Sequence, residues 1–196
     1  MAMIHPSEIE GPWRSGFVLD YQVISSSFTG YDGFGRPQFD TVRTEMGELL
    51  YRLKYRSDKS VIYEIASTVT EFLRSQKWEP PISLIVPMPA SRVRREQPVY
   101  ILADALGKQV GIEVAIGAVN KVKATPQLKD VKDYNERVQL LNGAFAVALP
   151  MVTGKSVLLL DDLYQSGATI EGVTRALYEE GRAKAVFALA LTRTQR

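Results

Sequence analysis

The sequence predicts an α/β fold in which helices flank a parallel sheet. From residue 82 onward, short apolar runs alternate with segments whose apolar residues recur at helical spacing. The run at residues 156–160 is almost wholly apolar, as expected of a strand that is covered on both faces. Alternation of strands and helices around such a run is typical of parallel sheets.

The predicted elements fall into two parts, divided at the pair Pro80 and Pro81. Residues 1–80 form a strand/helix extension packed on the core, with a strand at 17–25, a hairpin loop at 29–37 and helices from 41 and at 61–74. Residues 81–196 form the core, with strands at 82–86, 112–119, 143–149, 156–160 and 184–191 and helices at 97–110 and 168–180. The polar stretch 121–139 has no predicted element, and a loop of that length is usually a functional lid.

Composition excludes several classes of function. The 196 residues include no cysteine and one histidine, so neither a cysteine-ligated metal nor a Ser-His-Asp triad is available. A net charge of +2 does not indicate a globally basic nucleic-acid-binding protein, although local clusters could contact nucleic acid. No apolar run approaches the length of a membrane helix, and we expect a cytoplasmic protein without membrane contact.

One segment combines features of a sugar-phosphate site. The apolar run ends in Asp161 and Asp162, and the loop after them leads into a helix. The first N–H groups of a helix have no partners within it and favour a phosphate. An Asp pair alone is more often a solvated turn, but the strand, the pair, the Ser-Gly step and the helix start together favour a binding site.

The segment from Val157 to Thr169 resembles the phosphoribosyl pyrophosphate (PRPP) motif of type I phosphoribosyltransferases. It differs at Gln165, where that family has Thr or Ser. Further stretches resemble the ComF (competence protein) branch, whose cysteine-rich zinc module this chain lacks. They are Val86-Pro87-Met88-Pro89, Thr125-Pro126-Gln127 with Arg137, and Asn142-Gly143-Ala144-Phe145.

The resemblance implies a type I phosphoribosyltransferase-like α/β fold with a small N-terminal strand/helix extension and a hood. Asp161 and Asp162 would be the catalytic pair at the ribose hydroxyls. Mg²⁺ would be held mainly by PRPP, with these two carboxylates as further candidate ligands. The 5′-phosphate would bind Gln165, Ser166, Gly167, Ala168 and Thr169. The pyrophosphate loop would be Met88, Pro89, Ala90, Ser91 and Arg92, and the lid or hood would include Thr125, Gln127 and Arg137.

The expected activity is transfer of ribosyl 5-phosphate from PRPP to a nitrogen nucleophile, with release of pyrophosphate. The acceptor would be a small nitrogenous compound, and the resemblance allows a homodimer. The alternative is a non-catalytic PRPP-binding regulator, or a DNA-uptake accessory protein that contacts single-stranded nucleic acid. A purely structural role is a third possibility, in which the two aspartates would affect only stability.

Overall fold

A computed structural model describes residues 1–90, 96–123, 131 and 133–195. In this part of the chain, the order of strands in the central sheet is β1 (Ser7–Glu8), β2 (Ser15–Tyr21), β9 (Ala185–Arg193), β8 (Ser156–Tyr164) and β5 (Leu84–Pro87). Strand β1 pairs antiparallel with β2, and the other neighbours are parallel. The predicted α/β fold with a mostly parallel sheet is confirmed.

Both faces of this sheet are covered, which explains the apolar runs in the sequence. Side chains alternate along a strand, so Val157 and Leu159 of β8 join one core while Leu158 and Leu160 join the other. The first core includes helices α4 (Tyr134–Leu141) and α6 (Ala168–Glu179). The second includes α1 (Glu45–Arg56), α2 (Ile62–Ser75) and α3 (Pro98–Val110).

The N-terminal part supplies two strands of the central sheet, β1 and β2, and a separate hairpin. Strand β2 runs parallel to β9, and the strand predicted at 17–25 is interrupted at Gln22. After Gln22, β3 (Val23–Tyr31) and β4 (Pro37–Arg43) form an antiparallel hairpin, so residues 41–43 lie in a strand where a helix was predicted. The boundary near residue 80 stays a prediction.

Two further predicted segments differ in the structure. The strand predicted at 112–119 is reduced to an isolated bridge between Ile85 and Val114, because a turn with Gly117 at φ 81° precedes the short β6 (Val119–Lys121). Strand β6 pairs with β7 (Phe145–Val147), which is followed by α5 (Leu149–Val152). Helix α4 begins at Tyr134, within the stretch 121–139 where no element was predicted, and ends at Leu141.

A capping signal could have revealed α4. The Asp133 carboxylate accepts a hydrogen bond from the Glu136 N–H at 2.8 Å, as in a helix N-cap. In the described part of the chain, Leu141 is the one residue of α4 that belongs to the buried core. Because the helix buries so few side chains, its sequence shows little of the apolar periodicity that would predict a helix. Among the described residues, no helix has the length and apolar character needed to cross a membrane.

Candidate functional site

The candidate site lies where the parallel strands of the central sheet end. Pro87, the last residue of β5, pairs with Leu160 of β8, and the N–H of Met88 donates to the carbonyl of Leu160 at 2.8 Å. The start of the predicted pyrophosphate loop therefore lies directly beside Asp161. Met88, Pro89 and Ala90 follow this strand end, while Ser91 and Arg92 lie outside the described residues.

The phosphate loop, defined here as residues 165–169, connects β8 to α6. Gly167 takes a φ of 83°, in the left-handed region that favours glycine. A Cβ at this position would lie 2.6 Å from the Tyr164 hydroxyl. Gly167 is also the N-cap of α6 and forms no side-chain cap among the described contacts, which leaves the first N–H groups of the helix for a ligand.

A small pocket of about 70 Å³ opens at this loop. Arg137, predicted in the lid, lines this pocket from α4 and brings a positive charge to it. Its Nε donates to the Val131 carbonyl at 2.6 Å, which fixes the guanidinium. The lid residues Thr125 and Gln127 lie outside the described part of the chain. The remaining lining residues are Asp161, Leu163, Tyr164, Gln165, Ser166, Gly167, Thr169 and Ile170.

Asp161 and Asp162 differ in their surroundings because adjacent strand residues point to opposite faces. Asp161 lines the phosphate-loop pocket and accepts a hydrogen bond from the Asp162 N–H at 2.8 Å. Desolvation by burial and then the neighbouring Asp162 carboxylate raise the pKa of Asp161 to about 7. Backbone N–H donors and Lys54 oppose this rise in pKa.

Asp162 forms an ion pair that the sequence analysis missed. Its Oδ2 lies 3.0 Å from Nζ of Lys54, in the last turn of α1, and both side chains are largely buried. The Asp162 carbonyl accepts a hydrogen bond from the Thr192 hydroxyl at 2.9 Å, so the backbone is held as well. The sequence gives no sign of this pair, because Lys54 is one of several basic residues on the polar side of an amphipathic helix and Asp162 lies far along the chain.

A second missed cluster joins α4 to the first turn of α6. The Tyr134 hydroxyl donates to one carboxylate oxygen of Glu171. Arg175 donates to the other at 3.1 and 2.8 Å. Burial, followed by the Glu171 carboxylate, raises the pKa of Tyr134 to about 12. This cluster ties the helix that carries Arg137 to the helix that begins at the phosphate loop.

The described residues include no group of three or more acidic or histidine side chains suited to a metal ion. The two adjacent carboxylates supply oxygen ligands of the kind that Mg²⁺ takes, but Asp162 is already paired with Lys54. Mg²⁺ keeps several ligands from water or substrate phosphates in such sites. The donor set therefore fits a Mg²⁺ ion that a diphosphate helps to hold.

Comparison with solved structures identifies the fold. The model matches adenine phosphoribosyltransferase from Trypanosoma brucei with a TM-score of 0.52 and 15% identity, covering 96% of this chain and 75% of that one. The chain has the phosphoribosyltransferase fold. The enzyme from Leishmania donovani matches with a TM-score of 0.50 and 11% identity, covering 95% and 86% of the two chains.

In sequence, the chain is similar to competence protein ComFC of Bacillus subtilis (strain 168), with 27% identity over 158 residues. The match covers 79% of this chain and 62% of ComFC, so the chain spans less than two thirds of that relative. No family model matches the chain. The resemblance to the ComF branch and to type I phosphoribosyltransferases is confirmed by these two similarities, in sequence and in fold.

Proposed function

We propose that this protein is a phosphoribosyltransferase that binds PRPP and Mg²⁺ and transfers ribosyl 5-phosphate to a nitrogen nucleophile, releasing pyrophosphate. The observation that carries the proposal is the pocket at the end of β8, which joins the phosphate loop, Arg137 and Asp161. Ligands of α/β sheets bind beyond the carboxyl ends of the strands, and PRPP has a phosphate, hydroxyls and a diphosphate to match these groups.

The phosphate loop would bind the 5′-phosphate. Its donors are the N–H groups at the start of α6 and the hydroxyls of Ser166 and Thr169, and the helix dipole favours an anion there. Gly167 leaves room for close approach because it has no side chain. Arg137, which lines the same pocket, supplies the full positive charge that the loop itself lacks.

Asp161 and Asp162 would accept hydrogen bonds from the ribose hydroxyls. With a pKa of about 7, Asp161 exchanges its proton near neutral pH. Its carboxyl group can therefore accept a hydrogen bond from a ribose hydroxyl when it is ionised, and can donate one when it is protonated. A negative charge at this edge also favours the cationic character that develops at the sugar carbon during transfer.

The diphosphate would lie beside the end of β5, at Met88, Pro89 and Ala90, with Ser91 and Arg92 next in the chain. Mg²⁺, held mainly by the diphosphate with Asp161 or Asp162 as a further ligand, would offset the charge of this leaving group. The bond from the sugar carbon to the diphosphate oxygen breaks with its electron pair leaving on oxygen. A bond to the acceptor nitrogen forms, and that nitrogen releases a proton.

The test is a calorimetric titration with PRPP, with and without Mg²⁺. We expect the wild type to bind in a Mg²⁺-dependent manner and the double variant Asp161→Asn/Asp162→Asn to lose binding. The matched control is Asp40→Asn, an exposed aspartate of β4 that should leave binding unchanged. Absence of PRPP binding by the folded wild type would overturn the proposal.

The similarity to ComFC favours a second candidate, a PRPP-binding protein that serves in competence without turnover. The two candidates differ in one measurement, the release of pyrophosphate in the presence of a panel of nitrogenous bases and amines. Pyrophosphate release that requires one particular acceptor supports the phosphoribosyltransferase. PRPP binding without release for any acceptor, together with salt-dependent binding of single-stranded DNA, supports the accessory protein.

A further inference from the structure

Lys54 reaches the candidate site from a helix that lies far from the site along the chain. It belongs to α1, whereas the aspartate that it contacts, Asp162, belongs to β8. The position of α1 is tightly defined, because a Cβ on Gly47 would lie 2.0 Å from the Gln22 carbonyl oxygen. The Thr44 side chain caps the helix at Gly47 N and donates to the Tyr21 carbonyl at 2.6 Å.

The ion pair fixes one half of the Asp162 carboxylate. Lys54 Nζ lies 3.0 Å from Oδ2, and the two side chains are only 11% and 19% exposed. Within the described part of the chain, no hydrogen bond to Oδ1 is formed. The Thr192 hydroxyl holds the Asp162 carbonyl, so both the backbone and one carboxylate oxygen are restrained while the other oxygen stays available.

We propose that Lys54 is a positioning residue that holds the Asp162 carboxylate so that its free oxygen accepts a ribose hydroxyl. The proposal rests on the proposed function, since it concerns the sugar of the same ligand. It separates two tasks in the site. The phosphate loop and Arg137 bind the phosphate, and the pair of Lys54 and Asp162 distinguishes a sugar phosphate from phosphate alone.

The physical reason is preorganisation. A carboxylate that is already oriented loses little freedom when it accepts a hydroxyl, whereas an unrestrained one must be ordered by the ligand. Hydrogen bonds to charged acceptors are also stronger than those between neutral groups. Loss of the lysine would leave Asp162 largely buried without its counterion, free to turn towards water or other donors.

The experiment compares ribose 5-phosphate with inorganic phosphate, each titrated by calorimetry without Mg²⁺. We expect the wild type to bind ribose 5-phosphate roughly tenfold more tightly than phosphate, because charged hydrogen bonds contribute about 1.5 kcal/mol or more. Lys54→Met should bring this ratio close to one and leave the affinity for phosphate within about threefold of the wild type, since distant charges interact weakly. Lys54→Arg, which keeps the charge, should recover part of the ratio.

The matched control is Lys108→Met, which removes an exposed lysine paired with Asp104 on α3. It should keep both affinities. If Lys54→Met keeps the wild-type ratio, Lys54 does not position Asp162. If it loses both ligands together with thermal stability, Lys54 only ties α1 to the sheet, and the inference is overturned while the proposed function stands.

A folded wild type that binds phosphate and ribose 5-phosphate equally would also overturn the inference, while PRPP binding would still support the proposed function. Failure of the wild type to bind PRPP, ribose 5-phosphate and phosphate would overturn both.

Discussion

The two ends of the candidate site are built in different ways. The proposed phosphate end consists of five consecutive residues, 165–169, at the junction of a strand and a helix, and Arg137 lines the same pocket. The proposed sugar end combines Asp161 and Asp162 of β8 with Lys54 of α1. One end depends on local backbone conformation, whereas the other depends on the packing of distant segments.

The electrostatics of the two ends differ accordingly. At the phosphate end, N–H donors and a helix dipole can serve an anion without any titrating group in the loop. At the sugar end, one carboxylate is neutralised by Lys54 and the other has a pKa of about 7. Changes in backbone conformation should therefore act at the first end, and changes in charge or pH at the second.

Replacement of Gly167 should have the largest effect, because it breaks the local geometry of the phosphate end. Gly167→Ala places a methyl group in a left-handed conformation and 2.6 Å from the Tyr164 hydroxyl. We expect the affinity for inorganic phosphate to fall by roughly 100-fold, about 3 kcal/mol, because the donors of the loop must move. Isothermal calorimetry measures this directly.

The matched control is Gly111→Ala at the C-cap of α3. Gly111 has a φ of 72°, but no atom lies within 4 Å of the position of an added Cβ. It should lose about 1 kcal/mol of stability from backbone strain and keep its phosphate affinity. Equal phosphate binding by the two variants would show that the loop conformation does not determine the phosphate end.

Titration of Asp161 should affect stability at the sugar end. The folded protein holds this proton up to about pH 7, while an unfolded chain releases it near pH 4. The folded state therefore binds more protons between these values, and this residue makes the protein less stable as pH rises through that range. Asp161→Asn removes the effect, so its stability relative to the wild type should rise by about 4 kcal/mol from pH 4 to 7 and then stay constant.

Urea unfolding of both proteins at several pH values, with a chelator present, measures this difference. Asp40→Asn on the exposed hairpin should follow the wild-type curve at every pH. A difference between Asp161→Asn and wild type that is the same at pH 4 and pH 8 would contradict an elevated pKa for Asp161. It would also remove the electrostatic contrast between the two ends.

The same contrast explains what the sequence could predict. Strands β8 and β9 and helix α6 follow from apolar runs and helical spacing, and the acidic pair and phosphate loop lie in one contiguous segment. Lys54 could not be assigned, because its role depends on a contact with a residue far along the chain. The cluster of Tyr134 with Glu171 was missed for the same reason, and the capping signal of α4 at Asp133 was overlooked.

Gln165 allows a finer test of the phosphate end, with the smallest expected effect. It lines the pocket, and the resemblance to phosphoribosyltransferases places a hydroxyl residue at this position. Gln165→Thr would add one hydroxyl donor to a loop that already supplies N–H groups, and one hydrogen bond contributes about 1 kcal/mol. We expect phosphate to bind about fivefold more tightly to this variant than to Gln165→Val, which has nearly the same shape without the hydroxyl.

This pair of variants separates two sources of affinity within one end of the site. If the threonine and valine variants bind phosphate equally, backbone N–H groups and Arg137 account for the affinity, and the side chain at position 165 makes no contribution. If the threonine variant binds phosphate more tightly, the wild-type protein lacks one phosphate contact because residue 165 is a glutamine. In either case the ratio of ribose 5-phosphate to phosphate affinity should stay the same in both variants, because the sugar end, with Lys54 and Asp162, is unchanged.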